Sequence, residues 1–389
     1  MEANPYIYVV FVIFTGAALL ATLALFTRQS LLVAYLLVGM IAGPSGLALI
    51  NDNYTIQKAA DFGIIFLLFL MGLHLNPANL FHMLKNATVV TLVSSFLFSL
   101  LGGICAFLLN FTLVESLIMG IAMMFSSTII GLKLLPTTVL HHQHIGEVVI
   151  SVLLLQDILA IVALIALQGA SMGDFSYSEM AMLCVSLPCV GLLAIGGERF
   201  LLRVLISRFD RIREFIFLLA IAWCLGFAQL AESVHLSYNI GAFIAGVSLA
   251  SSPIALYIAE SLKPLRDTFL ILFFVASGAA LPLEMLPDIA LPSLVLAAVM
   301  MLAKPLIFTS LLNVIHESRT LATEVAARLS QLSEFSLLVA YLSLESALIS
   351  PKAAATLQAA TLITFVISSY WVVMRYPTPL AASARLRRD

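Results

Sequence analysis

Thirteen apolar runs, most of them about 17–25 residues long, follow one another along this chain with only short connectors between them. They cover 6–26, 31–50, 56–75, 87–109, 113–134, 146–169, 179–199, 214–231, 236–257, 266–283, 291–315, 321–346 and 354–375. That is the length an α-helix needs to cross a hydrocarbon core about 30 Å thick. Inside such a core every backbone donor and acceptor must be satisfied within the protein, so runs of this kind fold as helices. Composition agrees: 62% of residues are hydrophobic and 10% charged, with mean hydropathy +1.09. A soluble domain carries roughly 45–50% apolar and about 25% charged residues. The expected fold is an all-α polytopic membrane protein. No connector is long or polar enough to divide soluble domains, so residues 1–380 form a single transmembrane unit followed by a short tail, 381–389.

The charges test the count. If the N-terminus lies outside, alternation puts Arg28, Lys85, Lys133, the Arg199–Arg213 cluster, Lys263, Arg266, Arg319, Arg375 and the terminal arginines inside, together 15 of the 19 Lys and Arg residues. The outer connectors receive acids such as Asp174, Glu179, Glu232, Glu284 and Asp288. This is the asymmetry that the positive-inside rule requires, and a missed span would scramble it. The C-terminus is therefore expected inside. No basic residue precedes Arg28, so the first run reads as a span and not as a removable signal peptide. Cys105, Cys184, Cys189 and Cys224 fall in apolar segments and read as small buried residues. His141, His142 and His144 lie on an inner connector and read as solvated side chains, with a pH sensor as the sharper alternative. The net charge of −2 says nothing about nucleic acid, and no basic cluster with interleaved aromatics suggests such a partner, so none is expected.

Polar groups within the apolar runs are few. Gln156 and Asp157 lie in the middle of the sixth run, and an ionisable group there is expensive enough to imply a function. Ser126, Ser127 and Thr128 interrupt the fifth, near Gly120 and Gly131. Lys304 precedes Pro305 in the eleventh, Arg328, Gln331, Ser333 and Glu334 lie in the twelfth, and Asp61 begins the third. Hydroxyls compete for backbone hydrogen bonds and glycine releases the helix, so the fifth and twelfth runs are expected to break. Each is the middle member of a helical triple. Two broken helices in corresponding positions are the signature of inverted repeats that frame an ion site at the midplane. The mid-run Lys304 calls for a buried acidic partner, and Glu334 of the same triple is the expected one.

At these residues the chain resembles the monovalent cation:proton antiporter-2 family, in particular its Kef-type potassium/proton branch. Phe125-Ser126-Ser127-Thr128, Leu155-Gln156-Asp157-Ile158, Gly246 to Ser252 and Ser330-Gln331-Leu332-Ser333-Glu334-Phe335 carry the resemblance, with Gly39 to Pro44 and Phe66 to Leu73. It implies thirteen helices with two crossed, interrupted ones, a sodium/proton antiporter-like fold, a homodimer in a bacterial inner membrane, and an elevator-like movement of a core bundle, about 87–169 and 291–375. The remaining helices would form the dimerisation scaffold and linker. It also implies that Asp157 binds the ion beside Gln156, with Ser126, Ser127 and Thr128 on the first crossover, Gln331 and Glu334 on the second, and Lys304 as the basic residue of the core. Asp61 and Arg328 are further candidates. Kef-type proteins usually carry a cytosolic nucleotide-binding regulatory domain after the membrane part; none is expected within these residues, so either the protein is ungated by such a domain or the chain has been shortened, and a cytosolic regulatory domain or subunit would be a partner outside this chain. The Ile254–Leu265 stretch keeps Glu260 but matches the loop of glutathione-gated members poorly.

The expected activity is exchange of a monovalent cation, K⁺ by resemblance, for H⁺. Carboxylate, amide and hydroxyl oxygens are hard ligands that suit an alkali cation. Proton and cation would compete for Asp157, and with an amide at position 156 one titrating carboxylate favours electroneutral exchange. No cofactor is called for. Two alternatives remain open: Na⁺ in place of K⁺, and a ligand-gated potassium channel. The chain has no His-Glu-x-x-His, nucleophile elbow or comparable catalytic motif, which argues against an enzyme.

Overall fold

A computed structural model describes residues 5–27, 29–50, 53–74, 77–134, 144–171, 177–209, 212–234, 236–250, 252 and 254–378. Among them each of the thirteen expected spans carries helix. The helices are α1 (Pro5–Phe26), α2 (Leu31–Ala42), α3 (Asn53–His74), α4 (Pro77–Leu108), α5 (Leu113–Met123), α6 (Thr128–Lys133), α7 (His144–Ser171) and α8 (Tyr177–Gly197). They continue with α9 (Arg203–Phe209), α10 (Arg213–Ser233), α11 (Tyr238–Leu249), α12 (Ala255–Ala279), α13 (Leu286–Val314), α14 (Arg319–Arg328), α15 (Glu334–Glu345) and α16 (Pro351–Arg375). Six of these stretches are long and apolar enough to cross a membrane alone, and shorter apolar helices lie between them.

Both expected breaks are present. The fifth span divides into α5 and α6 around Met124–Ser127, and the twelfth into α14 and α15 around Leu329–Ser333. At 1.5 Å per residue the 11 residues of α5 reach about 16 Å, roughly half of a hydrocarbon core. The first break therefore falls near mid-membrane. Hydroxyls start the half-helices. Thr112 and Glu115 form a capping box on α5, Ser127 Oγ accepts from Ile130 N–H on α6, Ser318 caps α14, and Ser333 with Ser336 caps α15.

Elsewhere the boundaries moved. The basic stretch Arg199–Arg208 is not a connector: α8 runs through a π-helical turn, Glu198–Leu202, into α9. The break expected near 258–265 lies instead around 250–254, and α12 runs from Ala255 through Glu260, Lys263 and Arg266. Its charges suggest a loop in the sequence, but Ala255, Ile258, Ala259 and Leu262 are buried at helical spacing while Glu260 and Lys263 pair on the exposed side. Cys224 is buried and Cys105 partly so, but Cys189 is exposed, contrary to the expectation for all four. The Cys184 side chain, His141, His142 and the tail 381–389 lie outside the described residues.

The chain forms two compact units. The first comprises Met1–Asn53, Met83–Leu164 and Phe274–Asp389. In it α13 packs along α14 and α16, and α15 along α5 and α16. Helix α2 crosses the end of α12 so closely that a Cβ on Gly39 would meet Val275 O at 2.0 Å and one on Gly278 would meet Leu36 O at 2.1 Å. This is the small-residue packing of membrane helices. The second unit comprises Tyr54–His82 and Ile165–Phe273. Its apolar core joins Phe66, Phe69 and Leu73 of α3 with Ala242 and Ala245 of α11 and Cys224 and Ala228 of α10.

Within the first unit two contacts are related as inverted repeats require. Glu115, at the start of the first broken span, accepts from Ser350 N–H at 3.0 Å, at the start of α16. His144, at the start of α7, meets Glu317 at 2.9 Å, just before the second broken span. Each contact joins the broken helix of one triple to the third helix of the other.

Candidate cation site at the crossed helices

The two breaks meet each other. Ser126 Oγ donates to Leu329 O at 2.9 Å, Ser336 Oγ donates to Ala122 O at 2.6 Å, and the rings of Phe125 and Phe335 pack edge-on with centroids 6.3 Å apart. Unwinding frees backbone donors and acceptors that, in an apolar surrounding, must find partners. Side chains of neighbouring helices supply them.

Gln156 serves the first break. Ser126 N–H donates to its Oε1 at 2.9 Å, and its Nε2 donates to Met124 O at 3.2 Å. Gln331, itself in the second break, ties that break to the first: its Nε2 donates to Ser127 O at 3.4 Å, and its Oε1 accepts from Ser368 Oγ at 2.9 Å. Leu332 N–H donates to Thr364 Oγ1 at 3.1 Å. Each glutamine braces the unwound chain. Thr364 and Ser368 have no mark of this role in the sequence, where single hydroxyls in spanning helices resemble ordinary helix glue. The usable signal was the recurrence of Thr361, Thr364 and Ser368 at three- and four-residue intervals in one apolar helix, all fully buried.

Lys304 is completely buried and joins both breaks. Its ammonium donates to Phe125 O, to Gln331 O at 3.0 Å and to Ser126 Oγ at 3.3 Å, and lies 5.3 Å from the centroid of the Phe98 ring. The contacts described for the Lys304 ammonium are to neutral oxygens, and the expected Glu334 is not among them. Unwinding places two carbonyls within reach of the ammonium, and neutral oxygens do the work assigned to an acid. Glu334, the first residue of α15, instead stands in electrostatic range of Asp157 and accepts weakly from Ser333 Oγ at 3.4 Å.

Asp157 is 4% exposed, and its Oδ1 accepts from Thr128 Oγ1 at 3.0 Å. The three consecutive hydroxyls are thus sorted by job. Ser126 bridges the crossover and contacts Lys304, Ser127 caps α6, and Thr128 turns to Asp157. Arg328, buried at the end of α14, bonds to Glu324 and to backbone carbonyls. Asp61 lies in α3, in the second unit. Among the described residues no cluster of three or more His, Cys, Asp or Glu could hold a metal ion. The donors gathered at Asp157 are oxygens, of the kind that replaces the water shell of an alkali cation.

A model of the family described as "Sodium/hydrogen exchanger, transmembrane" matches residues 11–374. The K(+) efflux antiporter 4 of Arabidopsis thaliana is 30% identical over 322 residues, 79% of this chain and 53% of that protein. The glutathione-regulated potassium-efflux system protein KefC of Klebsiella pneumoniae is 30% identical over 328 residues, 83% of this chain and 53% of that one. The chain spans about half the length of these relatives. Among solved structures, the sodium proton antiporter MjNhaP1 of Methanocaldococcus jannaschii superposes with a TM-score of 0.68 over 95% of both chains at 20% identity, a likeness of fold.

Proposed function

We propose that this chain, which belongs to the transmembrane sodium/hydrogen exchanger family, exchanges a monovalent cation for H⁺ across a membrane, with Asp157 holding the two in alternation. The observation that carries the proposal is a buried carboxylate beside the meeting point of two broken helices, with a hydroxyl on one of its oxygens. A bare carboxylate in that place is costly, and either a proton or a dehydrated cation removes the cost. Loaded by either, the bundle around the crossover can pass from one side to the other; empty and charged, it is held back. The two fluxes are then coupled without covalent chemistry.

K⁺ is the proposed cation, a choice supported by the potassium-efflux relatives; the oxygen donors suit Na⁺ as well. Proton release from proteoliposomes under K⁺, Na⁺ and Rb⁺ gradients in parallel tests it. We expect K⁺ and Rb⁺ to drive it more strongly than Na⁺, and a response to Na⁺ alone would reverse the assignment. The proposed exchange is electroneutral. Gln156 adds no charge to Asp157, and in this reading Lys304, bonded to three oxygens of the crossover, carries no exchanged proton. A transient current from protein-loaded bilayers on addition of K⁺ would contradict this part. The unit that moves is proposed to be the crossover bundle, 87–169 and 291–375, within a homodimer.

The sorting of hydroxyls yields a paired prediction. Thr128→Val keeps the shape and removes the donor to Asp157. A lost hydrogen bond to a charged group is worth about 1.5–3 kcal/mol, so the half-saturating cation concentration should rise about tenfold or more. Ser127→Ala removes the α6 cap and should cost about 1 kcal/mol of stability with a smaller change in affinity. Exchange kinetics and thermal melts of the two variants check the contrast.

A further inference from the structure

We propose that Arg328 is a positioning residue of the cation site: it anchors the far end of α6 and thereby holds Thr128 against Asp157. The inference rests on the exchange reading above and concerns a residue whose hydrogen bonds go to neither Asp157 nor Lys304.

Arg328 is 1% exposed. Burying a guanidinium costs several kcal/mol unless it is paired and its N–H groups are satisfied. Glu324, one turn earlier on α14, supplies the counter-charge, accepting at Oε1 from Nη2 at 2.7 Å and Nε at 3.1 Å. Glu324 takes two of the five guanidinium N–H groups, and the others need acceptors of their own. It has two more, from two other parts of the chain. Nη1 donates to Leu134 O at 2.9 Å, just beyond α6, and Nη2 donates to Pro377 O at 2.9 Å, beyond α16. The Tyr376 ring lies 5.9 Å from the guanidinium carbon, and Tyr376 Oη donates to Thr323 O at 3.3 Å, so the same segment is pinned twice to α14.

The consequence lies at the other end of α6. That helix has six residues, about 9 Å of rise, and is too short to keep its direction unaided. Its first residue is Thr128, whose hydroxyl is on Asp157. Its last carbonyls are unpaired by the helix itself, and the cation at its C-terminal end satisfies one of them. Ser127 fixes the start and Arg328 fixes the end. The unwound segment after α14 is fixed from the same residue, because Leu329, next in sequence, accepts from Ser126 Oγ. Arg328 thus sets the spacing of α6 from α14 on which the Thr128–Asp157 contact depends.

The test compares Arg328→Gln, Arg328→Lys and Glu324→Gln with the unaltered chain. Two readouts are used: exchange in proteoliposomes, and the rise in melting temperature of detergent-purified protein as KCl replaces choline chloride. The second reports binding and does not require exchange, so loss of the exchange reading and loss of this proposal are told apart. For Arg328→Gln, half-saturation in both assays should rise about fivefold or more, as expected from loosening about one buried hydrogen bond, while the maximal rate per folded protein stays within about twofold. Arg328→Lys, which can still reach one carbonyl, should recover part of the affinity. Glu324→Gln keeps an acceptor for the guanidinium, so it should lower the melting temperature yet leave half-saturation within about twofold. The proposal is overturned if Arg328→Gln melts earlier but binds K⁺ like the unaltered chain, for the residue would then serve stability alone. It is equally overturned if Glu324→Gln weakens binding as much as Arg328→Gln. Should Arg328→Gln fail to fold, unaltered half-saturation in Arg328→Lys would still overturn it.

Discussion

Proteoliposomes containing Asp157→Asn should exchange no faster than protein-free vesicles, while the purified variant melts at or above the temperature of the unaltered protein. Both halves come from the same geometry. Asparagine keeps the volume of aspartate and an oxygen that can accept from Thr128 Oγ1. What it lacks is a charge. An aspartate at the centre of a spanning helix costs about 2.5–3.5 kcal/mol on insertion scales, so its removal relieves the fold. The same removal leaves nothing for a proton to neutralise or for a cation to balance, and alternation at the site ends. A variant that is inactive because it is unfolded would be a different result, and the melt distinguishes them. Exchange persisting at the original rate would place the coupling carboxylate elsewhere, with Glu334 the first residue to examine.

The second large effect is expected at Lys304, where stability should fall sharply. Lys304→Ala removes the donor shared by Phe125 O, Gln331 O and Ser126 Oγ, and opens a cavity at the crossover. Each buried carbonyl left without a donor costs about 1–3 kcal/mol, so two of them together with the cavity amount to about 3 kcal/mol or more. Lys304→Gln should lose distinctly less, because its amide can still donate to one or both carbonyls and the cost of burying an ammonium is gone. Thermal melts in detergent read the difference. Equal losses in the two variants would argue that the ammonium's bonds to the breaks are not what holds them together. Since the acceptors are neutral, charge reversal at Glu334 is not expected to rescue either variant.

The feature most open to sequence reading was the pair of breaks. Three hydroxyls in a row at Ser126–Thr128, and Ser330, Ser333 and Ser336 around Gln331, oppose a continuous helix by their own hydrogen bonding, and both breaks fall there. Asp157 was equally legible, since cost alone marks it. What the chain could not reveal was the partner of Lys304. Backbone carbonyls freed by unwinding have no side-chain signature, so the sequence points to an acid, Glu334, which lies within electrostatic range of Asp157. The roles within Ser126-Ser127-Thr128 were hidden for a related reason. Three neighbouring hydroxyls on an unwound segment point in directions set by local dihedrals, not by helical period. The length of α12 is not legible in the sequence because its charged turn has the composition of a connector, while burial of Ile258, Ala259 and Leu262 opposite Glu260 and Lys263 keeps it helical. Arg328 stood out as a charge, but its tie to Leu134 and Pro377 joins residues far apart in sequence and had no local mark.

Gln156 changes meaning most. As an amide beside Asp157 it argues for a single exchanged charge. Its oxygen and nitrogen are also engaged with Ser126 N–H and Met124 O, which makes it the brace of the first break. Substitution of Gln156 is therefore a poor probe of stoichiometry, since it disturbs the break as well as the charge.

Competition between proton and cation at one carboxylate is measured most directly by following pH in an unbuffered, detergent-solubilised sample as KCl is added at constant ionic strength. Near the pH at which the site is half-protonated, saturation with K⁺ should release up to one proton per chain, with a midpoint that moves to higher K⁺ as pH falls. Asp157→Asn should release none. K⁺ binding without proton release, or the same release from Asp157→Asn, would contradict exchange at Asp157.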